Sequence, residues 1–328
     1  MPLAERSLIA QLRRMVKAPL RAPDGLGPLN PSVIAGIGDD CAVLRVAPGN
    51  DSLVTTDFTL EGVHFRREWH SAESVGHRCL TRGLSDIAAM GGEPVAAFLS
   101  MAFPRDLAQS WIRGFVRGLL RLAEQHGVTL AGGDTAESPN RILADIVVLG
   151  TVPKGKAIRR SGARAGDRVF VSGELGGSAA ALGRLRRGEK ADARGYSRHF
   201  YPEPRVELGR MLRESGIASA MIDTSDGLST DLSHLCEESG VGAEINAFGI
   251  PRARVGKPAR PVELDLALHG GEDYELLFTV SPRKRVPAQL AGVRLTEIGR
   301  VTRGRKIMLR DEQGAAQKLQ SRGWEHFR

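Results

Sequence analysis

The sequence predicts a mixed α/β (α+β) fold built in two halves. Apolar runs of strand length alternate with longer segments whose apolar residues recur at helical spacing. The 328 residues amount to about two domains, with enough chain for a core in each. The polar, glycine-containing run VPKGKAIRRSGARAGD (152–167) interrupts the alternation and places the division near 150–165. The expected domains are therefore residues 1–150 and 151–328.

The elements follow in order. MPLAERSLIAQLRRMVK has Leu3, Ile9, Leu12 and Val16 near one helical face, and its lack of a continuous apolar stretch argues against a secretory signal. A Pro/Gly loop fills 18–32. In GIGDDCAV (36–43) two aspartates follow a Gly-Ile-Gly turn, and CAV opens a strand. LVTTDF (53–58) reads as a strand with Asp57 toward its end, and 74–91 reads as a helix with Asp86 near its close. VAAFLSMAF is a strand, DLAQSWIRGFVRGLLRLAEQHG a long amphipathic helix, VTLAGGD a strand ending in a turn, and ADIVVLGTV a strand. Beyond the junction come DRVFVSG (strand), SAAALGRLRRG (helix) and a charged stretch ending in YPEPR. MIDTSDGLSTDLSHLCEES reads as strand, turn and helix; GAEINAF and YELLFTV read as strands.

Composition excludes several classes. Apolar residues make up 41% and charged residues 26%, which argues against disorder or coiled coil. The net charge of +8 comes mostly from arginine and would attract polyanions, although a solvated arginine-rich surface is the plainer reading. No aromatic RNA-binding signature or zinc-finger spacing accompanies it, so no nucleic-acid partner is expected. Three widely spaced cysteines argue for a reducing compartment, and the longest apolar runs fall short of a membrane span. The expected location is cytoplasmic, with no membrane partner.

Carboxylates recur where strands meet glycine turns: Asp39 and Asp40, Asp57, Asp134, Asp223 and Asp226, Glu272 and Asp273. Aspartate and glycine are ordinary turn residues, so any one of these is unremarkable. Two converging carboxylates about 4 Å apart would repel by roughly 4 kcal/mol at an effective dielectric near 20. Such a cluster requires protons or cations, and oxygen ligands suit Mg²⁺. Known nucleotide loops do not fit. Gly150–Ala157 ends in alanine where a Walker loop needs Ser or Thr, and GIG lacks the third glycine of a dinucleotide fingerprint. VSGELGGSAAAL (171–182) could set a phosphate at a helix N-terminus or could simply be a tight turn.

GIGDDCAV, TTDFTLEGVHF, LSDIAAMGG, AGGDT, RRSGARAGD, YPEPR, DTSDGLSTDL, HGGEDYELLF and GWEHF occur in this order. Together they resemble the thiamine-monophosphate kinase family, of the aminoimidazole-ribonucleotide-synthetase-like (PurM-like) superfamily, from about residue 5 to 328. The resemblance implies a two-domain fold whose N-terminal strands form a barrel across a homodimer, followed by a C-terminal α/β domain. It implies ATP-dependent phosphorylation of thiamine monophosphate to thiamine diphosphate, with several Mg²⁺ ions. Metal ligands then fall on Asp40, Thr55, Thr56, Asp57, Asp86, Asp134, Asp223 and Asp226, with Asp57, Asp134 and Asp223 catalytic through the metal. ATP contacts fall on Gly133, Asp134, Arg160 and Ser225. Thiamine phosphate contacts fall on His64, Glu272 and Trp324. Some residues depart from the pattern: TTD stands where the family often has STD, no large apolar residue follows Asp223, and the aromatic nucleotide contact would fall near Arg117.

The chemistry agrees with that resemblance. The nucleophile would be a phosphate-monoester oxygen, already ionised at pH 7 because its second pKa is near 6. No general base is needed. Six aspartates bring a formal charge of about −6, so roughly three divalent ions would balance them and the phosphates. Taken singly, the residues have plainer readings: His64 as a surface or hydrogen-bonded histidine, Trp324 as a packing anchor, Arg160 as half of a solvated pair with Arg159, Asp86 as a partner of Arg82 one turn back. The rival functions are a sister ATP-dependent enzyme of the superfamily (aminoimidazole ribonucleotide synthetase, selenophosphate synthetase or a hydrogenase-maturation enzyme) and a non-catalytic Mg²⁺ or nucleotide-binding regulator. Selenophosphate synthetase would be expected to carry a Cys/Lys pair near the N-terminus; Lys17 has no cysteine near it.

Overall fold

A computed structural model of the chain describes residue 11 and residues 14–15, 30–35, 43–256 and 258–325. Most of the expected N-terminal helix and the GIGDD turn with Asp39 and Asp40 lie outside these residues. The chain divides into two compact units, Met1–Ile87 with Gly92–Gly155, and Ala88–Gly91 with Lys156–Arg328.

In the first unit, the short strands β1 (Val33–Ala35) and β2 (Val43–Leu44) pair antiparallel. The main sheet has the order β3 (Asn50–Leu60), β6 (Leu143–Pro153), β4 (Glu93–Phe103), β5 (Thr129–Glu137). All its pairs are antiparallel except β4 with β5. A parallel pair needs a crossover, which the helix α2 (Gln109–Gln125) supplies. Helix α1 (Ala72–Ala89) joins β3 to β4. The helices approach so closely that a Cβ on Gly76 would stand 1.8 Å from the Phe115 carbonyl oxygen, and one on Gly118 1.9 Å from that of Glu73. Glycine is required at that contact.

Residues alternate between the two faces of a strand. On β3 and β6, Thr55, Ile146 and Val148 face α1, whose Gly83 lies against Val148 and Thr55. The opposite face presents Val54, Phe58 and Leu143, which are 66%, 59% and 42% exposed. No sheet closes into a barrel among the described residues.

The second unit holds a two-stranded sheet of β10 (Arg254–Val255) and β11 (Arg260–Pro261) and an eight-stranded sheet. Its path is β16 (Ala316–Lys318), β15 (Ile307–Arg310), β9 (Gly242–Asn246), β14 (Val293–Thr302), β7 (Arg168–Ser172), β12 (Leu276–Val280), β8 (Ala218–Asp223), and β13 (Gln289–Leu290) pairs with β14. Val169, Val171, Ile222 and Leu277 form one core with Leu228, Leu232 and Leu235 of the helix Leu228–Ser239. On the other face Phe170 stacks on Phe278. The short helices Val206–Glu214 and Leu264–His269 and the strands β14 and β15 are additions to the expected elements. No helix among the described residues is long and apolar enough to cross a membrane.

Glu275, just before β12, is fully buried. It accepts hydrogen bonds from Arg205 at 2.5 and 2.8 Å, from Arg198 at 3.1 Å and from the Ser172 hydroxyl at 2.5 Å. YPEPR and the segment before it are thereby tied to the sheet. Removing one partner of such a buried pair leaves charge without compensation. Glu275→Ala is expected to lower stability by about 3 kcal/mol in denaturant unfolding; a loss within about 0.5 kcal/mol, the level of ordinary surface substitutions, would contradict this account.

Candidate active site

In the first unit, strand alternation separates the neighbouring threonines. The Thr55 hydroxyl donates to Asp86 of helix α1, and the Thr56 hydroxyl donates to Asp145 at 2.7 Å on the other face. Asp57 lies three residues inside β3, not near its end. The register runs Asp57, Ile146, Leu99, Gly133 along one row of the sheet, and Phe58, Asp145, Ser100, Asp134 along the next. The turn expected after Asp134 is absent, since β5 continues to Glu137. Gly133 is needed there: its φ is +149°, and a Cβ would stand 1.9 Å from the Leu99 carbonyl oxygen. Asp134 is exposed, and its carboxylate accepts the Thr135 N–H at 2.8 Å. His64 is half-buried in the turn after β3, where its Nδ1 accepts the Leu60 N–H at 3.0 Å. Arg117, near the expected aromatic contact, pairs with Glu73.

In the second unit, the DTSDG turn and the GGEDYE segment are zipped together. Thr224 N–H donates to the Glu275 carbonyl at 2.8 Å, Tyr274 N–H to the Thr224 carbonyl at 3.0 Å, and Glu272 N–H to the Ser225 carbonyl at 2.7 Å. Glu272 and Tyr274 adopt φ of +64° and +52°, a left-handed conformation uncommon outside glycine. The pairing brings Asp223, Ser225, Asp226 and Glu272 into one short region of the fold. Asp223 is buried, whereas Ser225, Asp226 and Glu272 are partly exposed. The C-terminal segment joins them, because Trp324 N–H donates to the Asp226 carbonyl at 3.0 Å and Gly323 N–H to the Thr230 hydroxyl at 3.0 Å. Trp324 is 45% exposed, so it is not a buried packing anchor. Arg160 is exposed; its carbonyl accepts from the Ser239 hydroxyl, which also receives the N–H groups of Gly162 and Ala163.

Three further carboxylates, Asp145, Asp231 and Asp273, have weaker sequence signals. Asp145 interrupts an apolar strand. Asp231 stands four residues after Gly227, in the first turn of the helix Leu228–Ser239, and is buried. Its carboxyl is driven well above the usual range, first by burial and then by the charges of Asp223 and Asp226. Potential ligand atoms of Asp226, Asp231 and His234 lie within 4.8 Å of one another. Asp273 occupies the position considered for a phosphate: its carboxylate accepts the N–H of Gly176 at 2.6 Å and of Ser178 at 3.3 Å, at the N-terminus of the helix Gly177–Arg186. That helix end is therefore capped from within, and VSGELGG is a structural turn.

The donors in both units suit a hard cation. Thr55, Asp57, Asp86 and Asp134 offer oxygen only, as do Asp223 and Asp226. Asp231 is raised first by burial, and the added repulsion from Asp223 and Asp226 is of the kind a bound cation relieves. Mg²⁺ thus fits the residues present; Asp40 lies outside the described residues.

Comparison with known proteins agrees. Residues 38–152 match the AIR synthase related protein, N-terminal domain, and residues 164–312 its C-terminal domain. The chain is 36% identical over 308 residues to the thiamine-monophosphate kinase of Salmonella typhimurium, covering 90% of this chain and 92% of that one. The crystal structure of the thiamine-monophosphate kinase from Stenotrophomonas maltophilia is similar at 34% identity and a TM-score of 0.78, over 94% and 97% of the two chains. AaThiL complexed with AMPPCP and TMP is similar at 31% identity and a TM-score of 0.76, over 100% and 99%.

Asp273 gives a test that depends on none of these likenesses. Burial pushes its carboxyl up to about 7, against the pull of the two backbone N–H groups. In the unfolded chain it would titrate near 4. Below about pH 4 both states are protonated and the carboxyl contributes fully to stability. The contribution is lost as pH rises through about 7, by on the order of 4 kcal/mol. Asp273→Asn abolishes this titration. The stability of the wild type relative to Asp273→Asn is expected to fall between pH 4 and 7 and level off above; parallel curves from thermal melts would refute the burial argument.

Proposed function

The chain belongs to the thiamine-monophosphate kinase family of AIR synthase related proteins, and on that premise we propose how its residues serve the reaction. It transfers the γ-phosphoryl group of ATP to thiamine monophosphate, giving ADP and thiamine diphosphate. The observation that carries this is full-length similarity to a structure holding both AMPPCP and TMP. The sister activities and a non-catalytic regulator are the weaker readings beside relatives of this identity.

A phosphate oxygen of thiamine monophosphate forms a bond to the γ-phosphorus as the bond to the β,γ-bridging oxygen breaks, and ADP leaves with that electron pair. The attacking oxygen is already ionised, so no side chain need take its proton. The barrier is the approach of two anions. Bound Mg²⁺ would neutralise both phosphate groups and hold them close. Asp57, Asp86, Asp134, Asp223 and Asp226 are the proposed carboxylate ligands, with Asp40 in the GIGDD turn. Thr55, whose hydroxyl lies on Asp86, is the side-chain donor on β3. The Thr56 hydroxyl is held by Asp145, so its inclusion rests on the family pattern.

Gly133, Asp134, Arg160 and Ser225 are the proposed ATP contacts. The exposed Arg160 guanidinium meets phosphate charge, and Gly133 leaves backbone open to the nucleotide. His64, Glu272 and Trp324 are the proposed thiamine phosphate contacts. The exposed Trp324 ring would offer its face to the cationic thiazolium. The uncovered face of β3 and β6, carrying Val54, Phe58 and Leu143, supports a homodimer in which these strands complete a barrel. Three cysteines without paired spacing support a cytoplasmic location.

Incubation with ATP, Mg²⁺ and thiamine monophosphate is expected to yield equal amounts of ADP and thiamine diphosphate; no product from folded protein would sink the assignment. Asp57→Asn and Asp134→Asn should each lose at least about 100-fold in kcat, in line with the loss of one charge-stabilising group, and keep a wild-type circular dichroism spectrum. Full turnover in both would remove the metal-carboxylate reading. Sedimentation should find a dimer for the wild type and a monomer for Phe58→Glu, and a monomeric wild type would remove the barrel.

A further inference from the structure

Asp226 is held from two directions. Its carbonyl accepts the Trp324 N–H, and the chain runs so close there that a Cβ on Gly323 would stand 2.2 Å from that oxygen. Its own N–H donates to Asp231 Oδ2 at 3.2 Å, and the same oxygen accepts the Gly227 N–H at 2.9 Å. These N–H groups precede the first turn of the helix Leu228–Ser239 and would otherwise have no partner within the helix. Gly227, with φ of +117°, turns the chain between Asp226 and that helix. Asp231 is 1% exposed, so its carboxylate has little freedom to move.

We propose that Asp231 is a positioning residue for the reaction: through the backbone N–H groups of Asp226 and Gly227 it fixes where the Asp226 carboxylate is presented. The inference rests on the reading of Asp226 as a Mg²⁺ ligand. One buried oxygen accepts both N–H groups, so the device needs an acceptor at that point and not a charge. Asp231 thereby acts on the cation through the conformation of its neighbour, as hydrogen-bonded outer residues orient the ligands of metal sites. The Asp226 carbonyl also carries Trp324, so loss of the turn is expected to reach the C-terminal segment second.

The test uses the full-length enzyme and reads its Mg²⁺ requirement in two ways, as the dissociation constant in a calorimetric titration of the protein without substrates and as the concentration for half-maximal turnover at saturating ATP and thiamine monophosphate. Asp231→Ala should raise it about tenfold or more, whereas a purely structural residue would lower melting temperature and leave it in place. Asp231→Asn keeps an oxygen acceptor and is expected to stay within about twofold of wild type; a tenfold rise would overturn the proposal, since it would make the carboxylate charge, and hence direct ligation, the requirement. Asp231→Ser, whose hydroxyl sits on a shorter arm, replaces the alanine variant if that does not fold, with the same expected rise. His234→Ala should leave the value unchanged, and a tenfold rise would overturn the proposal by making the Asp226–Asp231–His234 group itself the cation site. Asp226→Asn separates the two levels. Should it leave the Mg²⁺ requirement untouched, the reading of Asp226 fails and the proposal with it; should it raise the requirement while Asp231→Ala does not, only the positioning role falls.

Discussion

The backbone pairing of residues 223–226 with 272–275 is the constraint on which the second unit's functional region depends. Three main-chain hydrogen bonds between the segments hold a turn rich in carboxylates that would otherwise repel one another. The buried Tyr274 anchors one of the two segments, and the pairing is reinforced by charged groups around it. Glu275 does this below, where two arginines and a serine hold its buried carboxylate. Asp273 does it to one side by capping the helix Gly177–Arg186. The left-handed conformations of Glu272 and Tyr274 are then tolerated because the surrounding bonds over-determine them. Buried charge, left-handed backbone and candidate ligands occupy one stretch of chain, as expected where structure serves chemistry.

The first unit solves the same problem with a sheet. Long strands carry Asp57, Asp145 and Asp134 in two adjacent rows, and the alternation of faces prevents neighbouring residues from crowding. Thr55 and Thr56 show the consequence: adjacent in sequence, they bond to carboxylates on different elements. The glycines between α1 and α2 let those two helices pack closely against each other. The sheet face away from α1 leaves Val54, Phe58 and Leu143 exposed beside the Thr56–Asp145 hydrogen bond.

Much of this was legible beforehand. The strands read at 53–58, 95–103 and 144–152 lie within those observed at 50–60, 93–103 and 143–153, and the helix read over 106–127 contains the one at 109–125. The helices at 206–214 and 264–269 were not, because VELGRMLRE sits in a charged stretch and LDLALH is too short for a period to show. The continuation of β5 past Asp134 was hidden by two glycines that read as a turn but serve a close strand contact. Asp231 was missed because its partners are N–H groups at 226 and 227, which carry no side-chain signature.

By itself the sequence determined the alternating elements, the two-part division, the carboxylate-rich turns and the ordered motifs that place the chain in its family. Those are properties of local period and of residue type, which the chain states directly. Tertiary structure alone decided which carboxylates bear on which groups: Asp86 on Thr55, Asp145 on Thr56, Asp273 on a helix end instead of a phosphate, Asp231 on the backbone of Asp226. The physical reason is distance along the chain. Thr55 and Asp86 are 31 residues apart and Gly176 and Asp273 are 97 apart, and only sheet register and helix packing convert such separations into hydrogen bonds.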